Sequence, residues 1–364
     1  MPVRTGPGPL AQAAYGLSHA ARAAAYFGQS ALASRRLTPV TPARPIETPM
    51  PGTDAILDGL RRLFARDLAN IAAGHYRMPH DLVRAPVDAL RGAPAYFREL
   101  PAFEERRHAG RSQEVAAKMP RGDYPRYYLQ NFHFQTDGWF SRESARHYDH
   151  QVEVLFGGGA DAMRRQALVP LPAALARSGV RGAHLVDLAC GTGRFLSFVK
   201  DNYPCLNVTA LDLSAPYLDE ARETLEPWRG VAFAHARAEA TGLPAAGADV
   251  VTAVYLFHEL PRKVRAQVAA EIARILKPGG SFILVDSIQR GDVPAYDGLL
   301  EYFPVGFHEP YYWDFVTSDL TALFAKAGLR HTETNIAFFS RVMVFVKAGA
   351  TPKAQGKMRS GWDT

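Results

Sequence analysis

Two glycines and two aspartates carry the plainest chemistry in the sequence. In HLVDLACGTGRF (residues 184–195) an apolar run ends near Asp187, and Gly191 and Gly193 then form a tight turn leading into a helix. Glycines at a strand-to-helix turn let the backbone approach a ligand closely. The third glycine of the dinucleotide fingerprint would fall at position 196, which is Leu196, so a pyrophosphate cradle is disfavoured. Asp212 ends the next apolar run, in VTALDLS, 21 residues after Gly191. A carboxylate there is placed to accept both ribose hydroxyls of a nucleoside.

These residues need a parallel sheet to hold them. After residue 180 the pattern predicts strands at 184–189, 207–212, 231–236, 249–255 and 281–286, with the clearest helix at 262–276. Such alternation gives a mostly parallel α/β sheet with helices on both faces. A helix near 318–327 ends at Gly328, and TETNIAFFS and RVMVFVKA then form two strands of an antiparallel hairpin, seven strands in all.

The preceding chain is different. Residues 1–52 read as a basic Ala/Pro-rich leader and linker, 53–178 as a helical cap region, 179–350 as the α/β domain and 351–364 as a tail. In the leader, Leu10, Ala14, Leu17, Ala21, Ala24, Gly28 and Leu32 recur at helical spacing, which predicts a helix packed through that small-residue face. A transit peptide or a helix resting on a membrane surface are the alternatives. Thr53 is the expected N-cap of a helix over 53–73, with Gly74 ending it.

Composition narrows the function. Five arginines and no acid fall in residues 1–46, so the body of the chain is nearly neutral although the whole carries +6. A neutral body argues against a nucleic-acid partner. Two cysteines, Cys190 and Cys205, make no disulfide framework and fit a reducing cytoplasm. No Cys/His cluster has metal-ligand spacing, so no metal is expected. No apolar run is long enough to span a bilayer.

From about His184 to Gly280 the chain resembles the class I S-adenosylmethionine-dependent methyltransferases, nearest the ubiquinone and menaquinone C-methyltransferase type. DLACGTG, LDLS, ARAEATGLP, DVVTAVYLFHELP and KPGG occur in order at matching spacing. The resemblance implies S-adenosylmethionine as cofactor and a Rossmann-like class I sheet. It places Asp187, Ala189, Gly191, Thr192 and Gly193 near the methionine part, Asp212 and Leu213 at the ribose, and Ala238, Glu239 and Tyr255 among the other cofactor contacts. The family's usual adenine-binding acid is replaced by Arg237, which leaves open a changed group transfer or a non-catalytic binding protein on the same scaffold.

Methyl transfer requires a shielded, in-line acceptor. His258 and Glu259 follow the fourth strand, at the sheet end where this fold presents ligands, and His258 is a candidate general base. The stretch 124–149 interleaves Tyr128, Asn131, His133, Trp139 and Tyr148, a composition suited to a lid. The insertion 287–315 supplies Tyr302, His308 and Tyr312 as a second aromatic wall. His258, Tyr148 and His133 are therefore the candidate catalytic side chains. Tyr128, Asn131, Trp139, Glu259, Tyr302, His308 and Tyr312 are the candidate acceptor contacts. The expected acceptor is a small, apolar or aromatic, lipid-like molecule. The expected location is cytoplasmic or peripheral to a membrane. The sequence leaves oligomeric state open.

Overall fold

The computed structural model describes residues 6–40, 45–119 and 124–349. The expected tail at 351–364 lies outside them. A seven-stranded sheet, ordered β3-β2-β1-β4-β5-β7-β6, organises the chain from residue 184 onward. Its strands are β1 (His184–Leu188), β2 (Asn207–Asp212), β3 (Val231–His235), β4 (Ala248–Val254), β5 (Leu276–Ser287), β6 (Leu329–Ala337) and β7 (Ser340–Lys347). β1 to β5 pair in parallel, and β7 runs antiparallel to both β5 and β6. β1, β4 and the centre of β5 are buried on both faces, which explains their nearly unbroken apolar runs. β5 starts earlier than the sequence suggests, because Leu276 already pairs with Ala248 before an irregularity shifts the register around KPGG.

The cap consists of α1 (Pro9–Ser34), α2 (Thr53–Ala72), α3 (Ala85–Ala109), the short α4 (Glu114–Lys118) and α5 (Arg142–Leu155). α1 packs on the body, but through the opposite face from the one expected. Tyr15, His19, Arg22, Tyr26, Gln29 and Ala33 are buried, whereas Leu10 and Leu17 are 89% and 74% exposed. Hydrogen bonding decides this. Arg22 pairs with Glu153 and with Asp161, the latter at 2.7 Å, Tyr15 donates to Asp67 at 2.6 Å, and Gln29 donates to the Ala89 carbonyl. A small-residue face offers none of these bonds. The N-cap of α2 is Gly52, and Thr53 is its first helical residue without a side-chain cap bond. The proline-rich linker is stapled to the domain, since the Glu47 and Thr48 amides both donate to Glu301.

Asp161 joins cap to sheet. It accepts from Arg22, from Arg164 at 2.9 Å and from Arg194 at 2.6 Å, and Arg194 opens the helix after the glycine-rich loop. Among the described residues no helix is long and apolar enough to cross a membrane.

Candidate active site

The carboxyl ends of β1, β2 and β4 open into a cleft of about 770 Å³, counted to its open mouth. Ala189, Gly191, Asp212, Leu213, Ala238, Tyr255 and Glu259 form its floor, and Tyr127, Tyr128, Trp139 and Tyr148 of the cap cover it. Ala189 and Tyr255 have φ of +55° and +58°. Left-handed backbone at non-glycine residues is uncommon, and it concentrates where a chain must shape a ligand site. Gly191 has φ +55°, and a Cβ there would meet nothing within 4 Å, so the floor is open where the backbone approaches. Gly193 serves packing instead: a Cβ would come within 3.0 Å of Leu225.

Asp212 is fixed by backbone amides. Gly191 N donates to one carboxylate oxygen and Ser214 N to the other, both at 2.8 Å. Each oxygen keeps a lone pair for a further donor. Burial pushes the carboxyl up to about 6, against the pull of these amides. The indole N–H of Trp139 is buried with no acceptor among the described residues. A carboxylate acceptor, an open glycine floor, an orphaned donor and aromatic walls fit a nucleoside-bearing sulfonium in charge, shape and hydrogen-bonding capacity.

A second cavity, about 1170 Å³ counted out to its open mouth, lies under the cap. Tyr96, Leu100 and Phe103 of α3, Val152 and Leu155 of α5, and Phe134, Tyr302 and Phe307 give it largely apolar walls. Tyr148 lines both cavities. Burial raises its phenol above the usual tyrosine range, so it is a neutral hydrogen-bonding group.

Between them sits a compact charged cluster. His133 Nε2 lies 3.1 Å from Glu309 and 3.8 Å from Glu259. His133 lines the second cavity and Glu259 the first. Burial pushes the Glu309 carboxyl up to about 7, opposed by His133. His258 is different. It is buried, lines neither cavity, and its Nδ1 lies 2.7 Å from Asp286. Burial works against its charged form, but Asp286 outweighs burial and holds the imidazole up at about 9.

The other expected residues divide. Tyr128, Trp139, Tyr148, Ala189, Gly191, Asp212, Leu213, Ala238, Tyr255 and Glu259 line the cleft, and His133 and Tyr302 the second cavity. Asn131, His308 and Tyr312 line neither. Asn131 is fully buried, accepting from Val115 N and donating to Gln135 O, so it holds a loop together. His308 bonds Gln130 at 2.7 Å, and Tyr312 bonds Ser287 at 2.7 Å. Asp187 accepts from Thr252 and Thr192 donates to Asp149, each at 2.6 Å, and neither lines the cleft. Glu239 is taken by the Tyr127 hydroxyl, 2.9 Å from both its oxygens. Arg237 is half-buried and pairs through its backbone with Ala240. Sequence reasoning missed Tyr127, Asp286 and the role of Glu309. Only Asp286, at the end of the run FILVD, carried a positional signal.

Residues 185–280 match the family model described as a methyltransferase domain. The chain is 26% identical to a fatty-acid O-methyltransferase of Mycolicibacterium smegmatis over 40% of its own length and 52% of the relative's. It is 25% identical to a malonyl-[acyl-carrier protein] O-methyltransferase of Geobacter sulfurreducens over 55% and 79%. It is 33% identical to a demethylmenaquinone methyltransferase of Thermus thermophilus over 40% and 62%. The chain thus spans about half the length of the first of these relatives. A solved O-methyltransferase family protein from Burkholderia thailandensis aligns with a TM-score of 0.45 and 18% identity, over 71% of this chain and 72% of that one. With its glycine-rich loop, its acidic second-strand end and this strand order, the segment 185–280 is a class I S-adenosylmethionine-dependent methyltransferase domain.

Proposed function

We propose that the protein transfers a methyl group from S-adenosylmethionine to a small, largely apolar acceptor held in the second cavity. One observation carries this reading: Tyr148 walls both cavities, and the one beyond the cofactor cleft is lined mainly by apolar rings and aliphatic side chains. Mostly apolar walls with a small number of placed polar groups are usual for small-ligand pockets.

The bound cofactor supplies an electrophilic methyl group on a sulfonium. Asp212 would accept the ribose hydroxyls, Gly191 and Ala189 would let the cofactor lie on the loop, and the Ala238 amide would bond the adenine ring. Tyr128, Trp139 and Tyr148 exclude water and present ring faces that favour a sulfonium. The cap aligns the acceptor, and such alignment contributes up to roughly 7–11 kcal/mol. His258 is held protonated at neutral pH by Asp286, so it acts by positioning Glu259 and the turn after β4. The polar groups at the junction are Tyr148, Glu259 and His133.

The exposed apolar row Leu10, Leu17 and Leu32 on α1, with exposed Arg35 and Arg36 at its end, supports a peripheral contact with an anionic lipid surface. Sedimentation with phosphatidylglycerol vesicles, compared with Leu10→Asp/Leu17→Asp, tests that contact.

The main reading is tested by incubating the protein with S-adenosylmethionine and fractionated cell extract. S-adenosylhomocysteine should form with apolar fractions, and the product should gain one methyl group. Formation only with polar fractions, or none despite cofactor binding, would overturn it.

A further inference from the structure

The His133–Glu259–Glu309 cluster asks for more than an ion pair. Its three side chains come from the cap, the turn after β4 and the insertion after β5, and one donor atom from each lies within 4.8 Å of the other two. Ligands about 2.0–2.2 Å from a common ion stand at most roughly 4.4 Å apart, and the measured 3.1 and 3.8 Å separations from His133 Nε2 fit that limit.

Glu309 supplies the independent observation. Its side chain is completely buried, and neither carboxylate oxygen has a hydrogen-bond partner among the described residues. Nε2 of His133 lies 3.1 Å from one of those oxygens, yet that oxygen still lacks a hydrogen bond. An ordinary imidazolium–carboxylate pair would align the N–H with the oxygen. A buried carboxylate without donors is costly, and a cation shared by all three groups removes that cost. His133 reaches this position with φ +53°, a conformation that needs support from its surroundings.

We propose that His133, Glu259 and Glu309 bind one divalent first-row transition-metal ion. Two carboxylates against one imidazole leave the cluster short of positive charge, and the neighbouring His258 is balanced by its own partner Asp286. A ring nitrogen with only two carboxylates suits manganese, iron or zinc, and gives too few oxygens for calcium. Three protein ligands leave coordination positions open. Glu259 faces the cofactor cleft and His133 the second cavity. An oxygen of the acceptor, a hydroxyl or a carboxylate, is the ligand for that open position. This last step rests on the function proposed above, but metal binding does not.

The test uses the full chain without a histidine tag, stripped with chelator and titrated with manganese(II) chloride. Free Mn²⁺ is read by electron paramagnetic resonance, and zinc is added as competitor. One equivalent should bind, and Glu309→Gln and His133→Gln should each weaken it by at least about tenfold. The surface variant His108→Gln should bind as wild type does. S-adenosylhomocysteine affinity, measured by calorimetry, should persist in Glu309→Gln and so report a folded cleft. If Glu309→Gln does not fold, Glu259→Gln carries the same expectation for Mn²⁺. Binding below one equivalent in wild type, or unchanged in a folded Glu309→Gln or Glu259→Gln protein, would overturn the site. A wild-type protein that binds no Mn²⁺ yet transfers methyl groups would reject the site and spare the function, whereas weakened Mn²⁺ binding in Glu309→Gln with methyl transfer intact would reject only the acceptor's ligation to the ion.

Discussion

Asp212→Asn is the sharpest probe of the cofactor cleft. The carboxylate is held by Gly191 N and Ser214 N at 2.8 Å each, and its remaining lone pairs face the cavity. Hydrogen bonds to a charged group contribute roughly 1.5–3 kcal/mol, which corresponds to a loss of about 10- to 150-fold in affinity. Asparagine keeps the shape, but its amide meets one of the two backbone N–H groups donor to donor, so some of the loss arises in the glycine loop. The pH dependence separates the two effects. Because burial raises this carboxyl to about 6, wild-type affinity for S-adenosylhomocysteine should fall as pH drops from 7.5 to 5, and the variant's should stay flat. Stability moves oppositely. A carboxyl whose folded pKa is raised contributes stability below its ordinary 3.8 that is lost as pH rises through about 6. The melting temperature of the variant, relative to wild type, should therefore improve between pH 4 and 7. Calorimetry at three pH values, with circular dichroism to confirm folding, measures both trends. Unchanged affinity in a folded Asp212→Asn protein, or the same pH slope in both proteins, would refute the assignment.

Arg22→Ala leaves Glu153 and Asp161 buried and short of a partner, and should cost about 3–5 kcal/mol in urea denaturation. A loss no larger than that of a surface arginine would show that α1 is dispensable. Tyr148→Phe should lower turnover about tenfold or more while leaving cofactor affinity nearly unchanged, because only its hydroxyl is removed from the junction; steady-state kinetics with calorimetry reads both. His258→Ala should destabilise the protein at pH 7 and less so at pH 10. A histidine raised to about 9 contributes stability that is complete below its ordinary 6.5 and lost as pH rises through 9. A turnover loss without any stability loss would return His258 to the role of base.

The sheet was legible because its signals are local. β2 begins and ends where the apolar run NVTALD does, and Asp212 was identified by its distance from Gly191. The cofactor floor follows from that one strand-turn-helix segment. α1 was legible as a helix but not in its facing, because periodicity assigns arginine and histidine to solvent. Arg22 is buried only because Glu153 and Asp161, more than 130 residues further along the chain, meet it there. Asn131 looked like a ligand contact by type, yet its hydrogen bonds all go to nearby backbone. Glu309 stood among aromatics in a long insertion, and no spacing rule joins it to His133 and Glu259 from two other segments.

The same long-range contacts bear on how the two cavities are kept in register. Tyr148, which they share, is followed by Asp149, and Asp149 accepts from Thr192 of the glycine-rich loop at 2.6 Å. Arg194, two residues past Thr192, is paired to Asp161, and Asp161 to Arg22 of α1. The glycine-rich loop is thus tied through Asp161 to the helix that borders the second cavity. Displacing α1 would take Arg22 from both Glu153 and Asp161, leave the buried Glu153 carboxylate without its ion-pair partner, and so disturb the network in which Arg194 is held. Near-attack alignment tolerates little movement, so removal of α1 should reduce turnover even though no atom of α1 lines the cofactor cleft. Turnover unchanged in a folded chain lacking α1 would break this link between the cap's ion pairs and catalysis.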